Sequence, residues 1–315
     1  MKKILSLFII ICLLIPFTAC AGNGNGHGKL KIVTSLFPHY DFARQIVGDR
    51  AEVTLLLPPG TESHTFDPSA IDIYNITNSD IFIYTGKNME AWAERVISSL
   101  DENGPKIVDT STGIDLLHSP GHDHEDDEHD HVYDPHIWLN PQNAVKMLDN
   151  ILETICEADP ENEAFYRENA KRYRDEILLL DSDIERTIND IKDSRDGYDT
   201  LVFGGKFAYI YFFERYDLKY VSAYKTCSTE TEPSLTTIYE IVQFVKDNKI
   251  YRIFKEELSE GKVANAISEQ TGAEVRVFST VHNVTKAEFE SGVTYVSIMY
   301  QNLSAIERAL IDSNK

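Results

Sequence analysis

Residues 159–192 read DPENEAFYRENAKRYRDEILLLDSDIERTINDIK, and the spacing within them decides how the chain is organised. Asp159-Pro160 is a helix start: a capping carboxylate, then proline at the first helical position, where its missing N–H costs nothing. Apolar or aromatic residues recur at Tyr166, Ala170, Tyr173, Ile177, Leu180, Ile184, Ile188 and Ile191, steps of three or four that lay one stripe along a helix. Kept up for about 30 residues at 1.5 Å each, the pattern predicts a rod of roughly 45 Å. A coiled-coil dimer is the rival reading. The flanking sequence favours a single spanning helix, because a strand–helix alternation lies on both sides of it.

Upstream, strands are expected at Leu30–Leu36, Ala51–Leu57, Asp80–Thr85 and Lys106–Val108, with helices at Asp41–Val47, Ala70–Thr77 and Glu90–Leu100. Downstream, strands at Thr200–Phe203, Lys219–Ala223, Tyr251–Phe254 and Glu274–Phe278 alternate with helices at Phe207–Tyr216, Ser234–Asp247, Lys262–Gln270 and Val293–Ile311. Short apolar runs separated by amphipathic helices predict parallel sheets covered on both faces. The fold class is therefore α/β: two doubly wound lobes, 30–158 and 196–315, joined by one long rigid helix over 159–195.

Composition narrows the partners. Against 30 basic residues stand 51 acidic ones, a formal charge of −21. That field repels phosphate backbones, so nucleic acid is not an expected partner, and it attracts cations. Lys2 and Lys3 precede the apolar run Ile4–Phe17, the pattern of a secretory signal over residues 1–19. Thr18-Ala19-Cys20 resembles a bacterial lipobox, with Phe17 where leucine is more usual; Cys20 would carry the lipid, and 20–29 would be a flexible tether. The expected protein is extracytoplasmic, lipid-anchored to the bacterial cell membrane, and monomeric. Cys156 and Cys227 are too few and too far apart for a disulfide framework.

Histidine placement points to metal. His118, His122, His124, His129 and His131 lie within HSPGHDHEDDEHDH, together with six acids, inside a window of 39 residues (107–145) that contains no Lys or Arg. Imidazole suits zinc and its neighbours, with carboxylates as additional partners. Such a tract reads as an auxiliary, low-affinity metal collector or sensor rather than a fixed tetrahedral site. A fixed site belongs beyond the carboxyl ends of the strands. His64, in PPGTESHTFDP, and His136, in DPHIWLNP, both meet that condition.

PPGTESHTFDPSAIDI, DPHIWLNP, the long helix after DPEN, ERYDLKYVSAY, ETEPS and GVTYVSIMYQNL together resemble the metal-binding substrate-binding lipoproteins of zinc and manganese ABC importers, over nearly the whole chain after the signal. The histidine-rich loop is typical of the zinc branch. The resemblance implies two α/β lobes joined by one helix, with Zn2+ in the inter-lobe cleft and Mn2+ as the alternative cargo. It implies delivery to an ABC permease with its cytoplasmic ATPase. His64 and His136 match the family's two ligands from the first lobe. The second-lobe position usually held by histidine or glutamate falls on or beside Lys206, whose ammonium has no lone pair to offer. His282, in FSTVHNVT, lies near where the family often supplies aspartate. Glu230 is a further candidate ligand, with service to the helix that follows Pro233 as its alternative role. Cys227 is a candidate for ligand or cleft, or a small buried hydrophobe, and His39 a candidate for the cleft wall.

The function expected is thus a zinc-binding receptor for import, with a manganese receptor as the alternative. A cell-surface adhesin and a zinc hydrolase are the other classes considered. HExxH and GxSxG are both absent, and no nucleophile–base pair is evident, so no enzymatic activity is expected.

Overall fold

The computed structural model describes residues 28–120, 133–194, 199–226 and 232–312. The first lobe alternates β1 (Leu30–Thr34), α1 (Phe37–Val47), β2 (Ala51–Leu55), α2 (Ala70–Thr77), β3 (Ile81–Tyr84), α3 (Ala91–Ser98) and β4 (Lys106–Asp109). Its strands are all parallel, in the order β2-β1-β3-β4. Two helices follow, α4 (Pro141–Ala158) and α5 (Glu163–Ser194). The second lobe repeats the plan with β5 (Thr200–Phe203), α6 (Ile210–Arg215), β6 (Lys219–Ser222), α7 (Leu235–Asp247), β7 (Arg252–Lys255), α8 (Lys262–Thr271) and β8 (Glu274–Val277), parallel in the order β6-β5-β7-β8. Helices α9 (Lys286–Ser291) and α10 (Tyr295–Asp312) close the described chain.

Each sheet is covered on both faces, as the apolar strands require. Val33, Phe82 and Tyr84 pack under α2 and α3 through Ile76, Trp92, Ala93 and Val96. In the second lobe Val202 and Ile253 pack under α7 and α8 through Ile241, Val242, Val245, Val263 and Ile267. The opposite faces of both sheets share one core, and α5 is its spine. All eight positions of the apolar stripe on α5 are buried. An amphipathic helix of this length gains its stability from that stripe rather than from intrinsic propensity.

Polar ties fix the spine to each lobe. Asp41 of α1 is fully buried, receives the Tyr173 hydroxyl of α5, and also accepts from the Tyr295 backbone N at 2.8 Å. Asp181 of α5 accepts from Arg215 at 2.9 Å and from the Tyr216 hydroxyl at 2.8 Å, both at the end of α6.

Local details depart from the pattern reading. β1 stops at Thr34, and α1 begins at Phe37 rather than Asp41, because Pro38 belongs in a first helical turn. α5 begins at Glu163 after a tight 3-10 turn, Pro160–Asn162; Asp159 holds that turn by accepting from Asn162 at 2.8 Å and from the Tyr166 hydroxyl at 2.6 Å. α6 is shorter than expected, and α9, which was not anticipated, opens on a reciprocal cap between Thr285 and Glu288.

Candidate metal centre

Three loops at carboxyl ends of strands bring three imidazoles together. The first leaves β2 through Pro58-Pro59-Gly60, and the Glu62 carboxylate then accepts from the backbone N of His64 (3.2 Å) and Thr65 (3.1 Å), turning His64 inward. The second follows β4. Antiparallel pairing of His118 with Tyr133 closes its base, and the Tyr211 hydroxyl of the other lobe donates to the Asp134 carbonyl at 2.9 Å. There Asp134 Oδ1 accepts from both the backbone N (2.9 Å) and Nδ1 (2.8 Å) of the fully buried His136. A carboxylate only accepts, so Nδ1 carries the proton and Nε2 is left with its lone pair. The third loop follows β8 and carries His282.

The ring centroids lie 5.6 Å apart for His64–His136, 5.0 Å for His64–His282 and 4.6 Å for His136–His282. One nitrogen from each ring lies within 4.8 Å of the other two. Trp138 backs the group, 5.5 Å from the rings of both His136 and His282, and its indole N–H donates to the Thr280 carbonyl at 2.8 Å. Burial, with His136 and His64 alongside, pushes the pKa of His282 well below its usual value, so it stays neutral as a ligand must.

Beside the cluster is a cavity of about 220 Å3, lined from one lobe by Glu62, Ser63 and His64 and from the other by Lys206, Glu257 and His282. The second-lobe wall is stitched to the first: Phe37 N donates to the His282 carbonyl at 3.1 Å, and Asn283 Nδ2 donates to the carbonyls of Pro58 (2.8 Å) and Thr61 (2.9 Å).

Of the residues singled out from sequence, His64, His136 and His282 converge. Lys206 lines the cavity, its backbone N bonded to Glu256 at 3.0 Å. His39 does not reach the cavity. It is wholly buried in the first lobe, with Ser35 at Nδ1 (3.1 Å) and Thr85 and Thr110 at Nε2 (3.4 and 3.3 Å), and burial drives its pKa down to about 3. His118 lies against the Tyr133 ring, 4.7 Å between centroids. Cys20, His122, His124, His129, His131, Cys227 and Glu230 lie outside the described residues. Asp134, Thr280 and Glu257 escaped the sequence reading; the DPH spacing of Asp134 to His136 was a usable signal, whereas nothing in sequence links Glu257 to His282.

Two like-wound parallel lobes, one helical spine and a cavity walled by both lobes define a two-lobed binding protein. The chain belongs to the family described as zinc-uptake complex component A, periplasmic, whose model matches residues 32–309. It is 33% identical to the zinc-binding lipoprotein AdcA of Streptococcus pneumoniae serotype 4, over 98% of this chain but 61% of that protein. It is likewise 33% identical to the high-affinity zinc uptake system protein ZnuA of Bacillus subtilis, over 98% of each. Among solved structures, the Zn(II)-bound ZnuA-like domain of Streptococcus pneumoniae AdcA aligns with a TM-score of 0.75 at 30% identity, covering 90% of this chain and all of that one.

Proposed function

We propose that this chain is an extracytoplasmic zinc receptor that binds the ion between its lobes and hands it to an ABC permease for import. The observation that carries the reading is the convergence of one nitrogen each from His64, His136 and His282, drawn from both lobes, to within 4.8 Å of one another. Tetrahedral zinc with Zn–N bonds of about 2.0–2.1 Å sets its nitrogens roughly 3.3 Å apart, so small ring movements close the site. Imidazole donors favour zinc over manganese, which asks for more oxygen. The fourth position falls to water or to Glu230 or Cys227, and Lys206 contributes charge rather than a bond. The names of the relatives, zinc-binding lipoprotein and high-affinity zinc uptake system protein, support the same cargo and a role in uptake.

The histidine-rich loop, 118–131, is read as a collector that raises local metal concentration, and Cys20 as the lipid anchor of a monomeric receptor. Titration of zinc and manganese into the metal-free protein by calorimetry tests the central reading. One tight zinc equivalent, lost in His136→Ala, is expected; a protein indifferent to sub-micromolar zinc would sink it.

A further inference from the structure

We propose that Thr280 and Glu257 are positioning residues for zinc capture, holding His282 in the tautomer whose Nε2 lone pair faces the cluster. The inference rests on the reading of His282 as a ligand and extends it to two residues outside the cluster. Lys206 stands where the family's usual second-lobe ligand was expected, so His282 is the only second-lobe ligand among the described residues. Its ring has no carboxylate of its own, unlike His136 with Asp134. It has a hydroxyl instead, and the hydroxyl has a carboxylate.

With Glu257 ionised, the proton count gives the chain its direction. Glu257 grips Thr280 twice: Oε2 accepts from the backbone N at 2.6 Å, and Oε1 receives the side-chain Oγ1–H. A threonine hydroxyl has one hydrogen and two lone pairs. With that hydrogen given to Glu257, Oγ1 can only accept from His282 Nδ1, which it touches directly. Nδ1 must then be the protonated nitrogen. Nε2, buried and without a hydrogen bond, is left as the donor atom turned to metal. This has the logic of a carboxylate–histidine–zinc triad with a hydroxyl inserted between the first two members.

The backbone between the two residues supports a built arrangement. Val281 sits at φ 61°, a left-handed conformation that a residue branched at Cβ adopts only under constraint. Its side chain is fully buried in the main core, and its N–H is taken by Ser279 Oγ at 3.1 Å. The resulting turn folds Thr280 Oγ1 back onto the ring of His282. The Thr280 carbonyl is held meanwhile by Trp138 of the other lobe.

The test pairs 15N shifts of the His282 ring in the metal-free protein with zinc titration. Wild type is expected to show a single form protonated at Nδ1. Thr280→Val keeps the shape and the backbone bond to Glu257 but removes the relay; it should give mixed tautomers and weaken zinc binding by 10- to 100-fold. Thr280→Ser should restore both readouts. Glu257→Gln, with one acceptor where two are needed, should give mixed tautomers and a partial loss of affinity, whereas Glu257→Leu should resemble Thr280→Val. A wild-type ring protonated at Nε2, as a reversed chain from a protonated Glu257 would give, overturns the proposal. So does a Thr280→Val protein with unchanged ring shifts, whatever its affinity. A wild-type protein that ignored zinc would instead overturn the functional reading, and the ring shifts would still decide the relay.

Discussion

The buried pair His39 and Glu90 gives the most direct physical test of the first lobe. Glu90 is buried, with Ser35 donating to it at 2.5 Å and the backbone N of Thr85 at 3.0 Å. Burial nevertheless pushes its pKa from an ordinary 4.5 up to about 7, while burial drives His39 from 6.5 down to about 3. The two have opposite signs in linkage. Stability from the raised Glu90 is complete below pH 4.5 and is lost as pH rises towards 7; stability from the depressed His39 is complete above pH 6.5 and is lost as pH falls towards 3. Between about pH 4.5 and 6.5 the folded pair holds one proton, on Glu90, and the unfolded pair also holds one, on His39. The two slopes cancel there. Glu90→Gln keeps the acceptor for Ser35 and Thr85 but removes the acidic term. The stability difference between wild type and variant should therefore shift by about 1.4 kcal/mol per pH unit from pH 4.5 to 7, on the order of 3 kcal/mol in all, and level off outside that window. Urea unfolding with chelator present, at half-unit steps from pH 3.5 to 8, measures it. A wild-type-minus-variant difference that is flat across pH 4.5–7 refutes the reasoning.

Four further outcomes are expected. Asp134→Ala should weaken zinc binding by 10- to 100-fold, since it deprives His136 of the acceptor that orients Nδ1–H; calorimetry and thermal unfolding separate that effect from any loss of stability. Lys206→Ala should tighten zinc binding, by less than about tenfold, because it removes a positive charge from the cavity wall and no ligand; weaker binding would mean that the lysine orders the site. His39→Leu should alter stability while leaving zinc affinity unchanged, the reverse of His64→Ala, and a tenfold loss of affinity would place His39 in the site after all. Asp181→Ala should destabilise the protein by about 2–4 kcal/mol in denaturant unfolding, because it strands Arg215 and the Tyr216 hydroxyl at the junction of α5 and α6.

The architecture was legible because it is written in periodicities. The stripe from Tyr166 to Ile191 gave the spine, and the strand–helix rhythm on each side gave two like lobes. Caps were readable in principle: Asn140-Pro141 opens α4, with the Asn140 side chain accepting from Gln142 N at 2.9 Å, and Thr285 with Glu288 opens α9. The site was legible only in part, for a physical reason. His64 and His136 fall at strand ends, where an open α/β sheet offers its loops to ligands. His39 lies just beyond β1, also near a strand end, yet its surroundings come from Ser35, Thr85 and Thr110, three hydroxyls that only the fold assembles. Glu257 and His282 are related by the packing of one loop beyond β7 against another beyond β8, and no local pattern encodes that.

The same contacts bear on how a bound ion could enter and leave. A binding protein that opens by hinging needs an interface that can part, and this one is poorly suited to parting. The core runs without a break from one lobe through α5 to the other. Asp41 of the first lobe caps the start of α10, while the Tyr295 hydroxyl of α10 donates to the Trp138 carbonyl at 2.7 Å. Asn283 is bonded to the loop that carries His64. Wide opening would exchange these hydrogen bonds for bonds to water, at a net cost of about 0.5–1.5 kcal/mol each, and would split the shared core. Ligand exchange is therefore assigned to the loops at the cavity. His136 and His282 are buried and held at Nδ1 by Asp134 and Thr280, whereas His64 is only half-buried. On the proposed reading of the three imidazoles as ligands, the more exposed His64 is expected to meet an incoming ion first. His64→Ala should then slow zinc capture more than His136→Ala or His282→Ala does, and stopped-flow competition with a fluorescent chelator would resolve the rates.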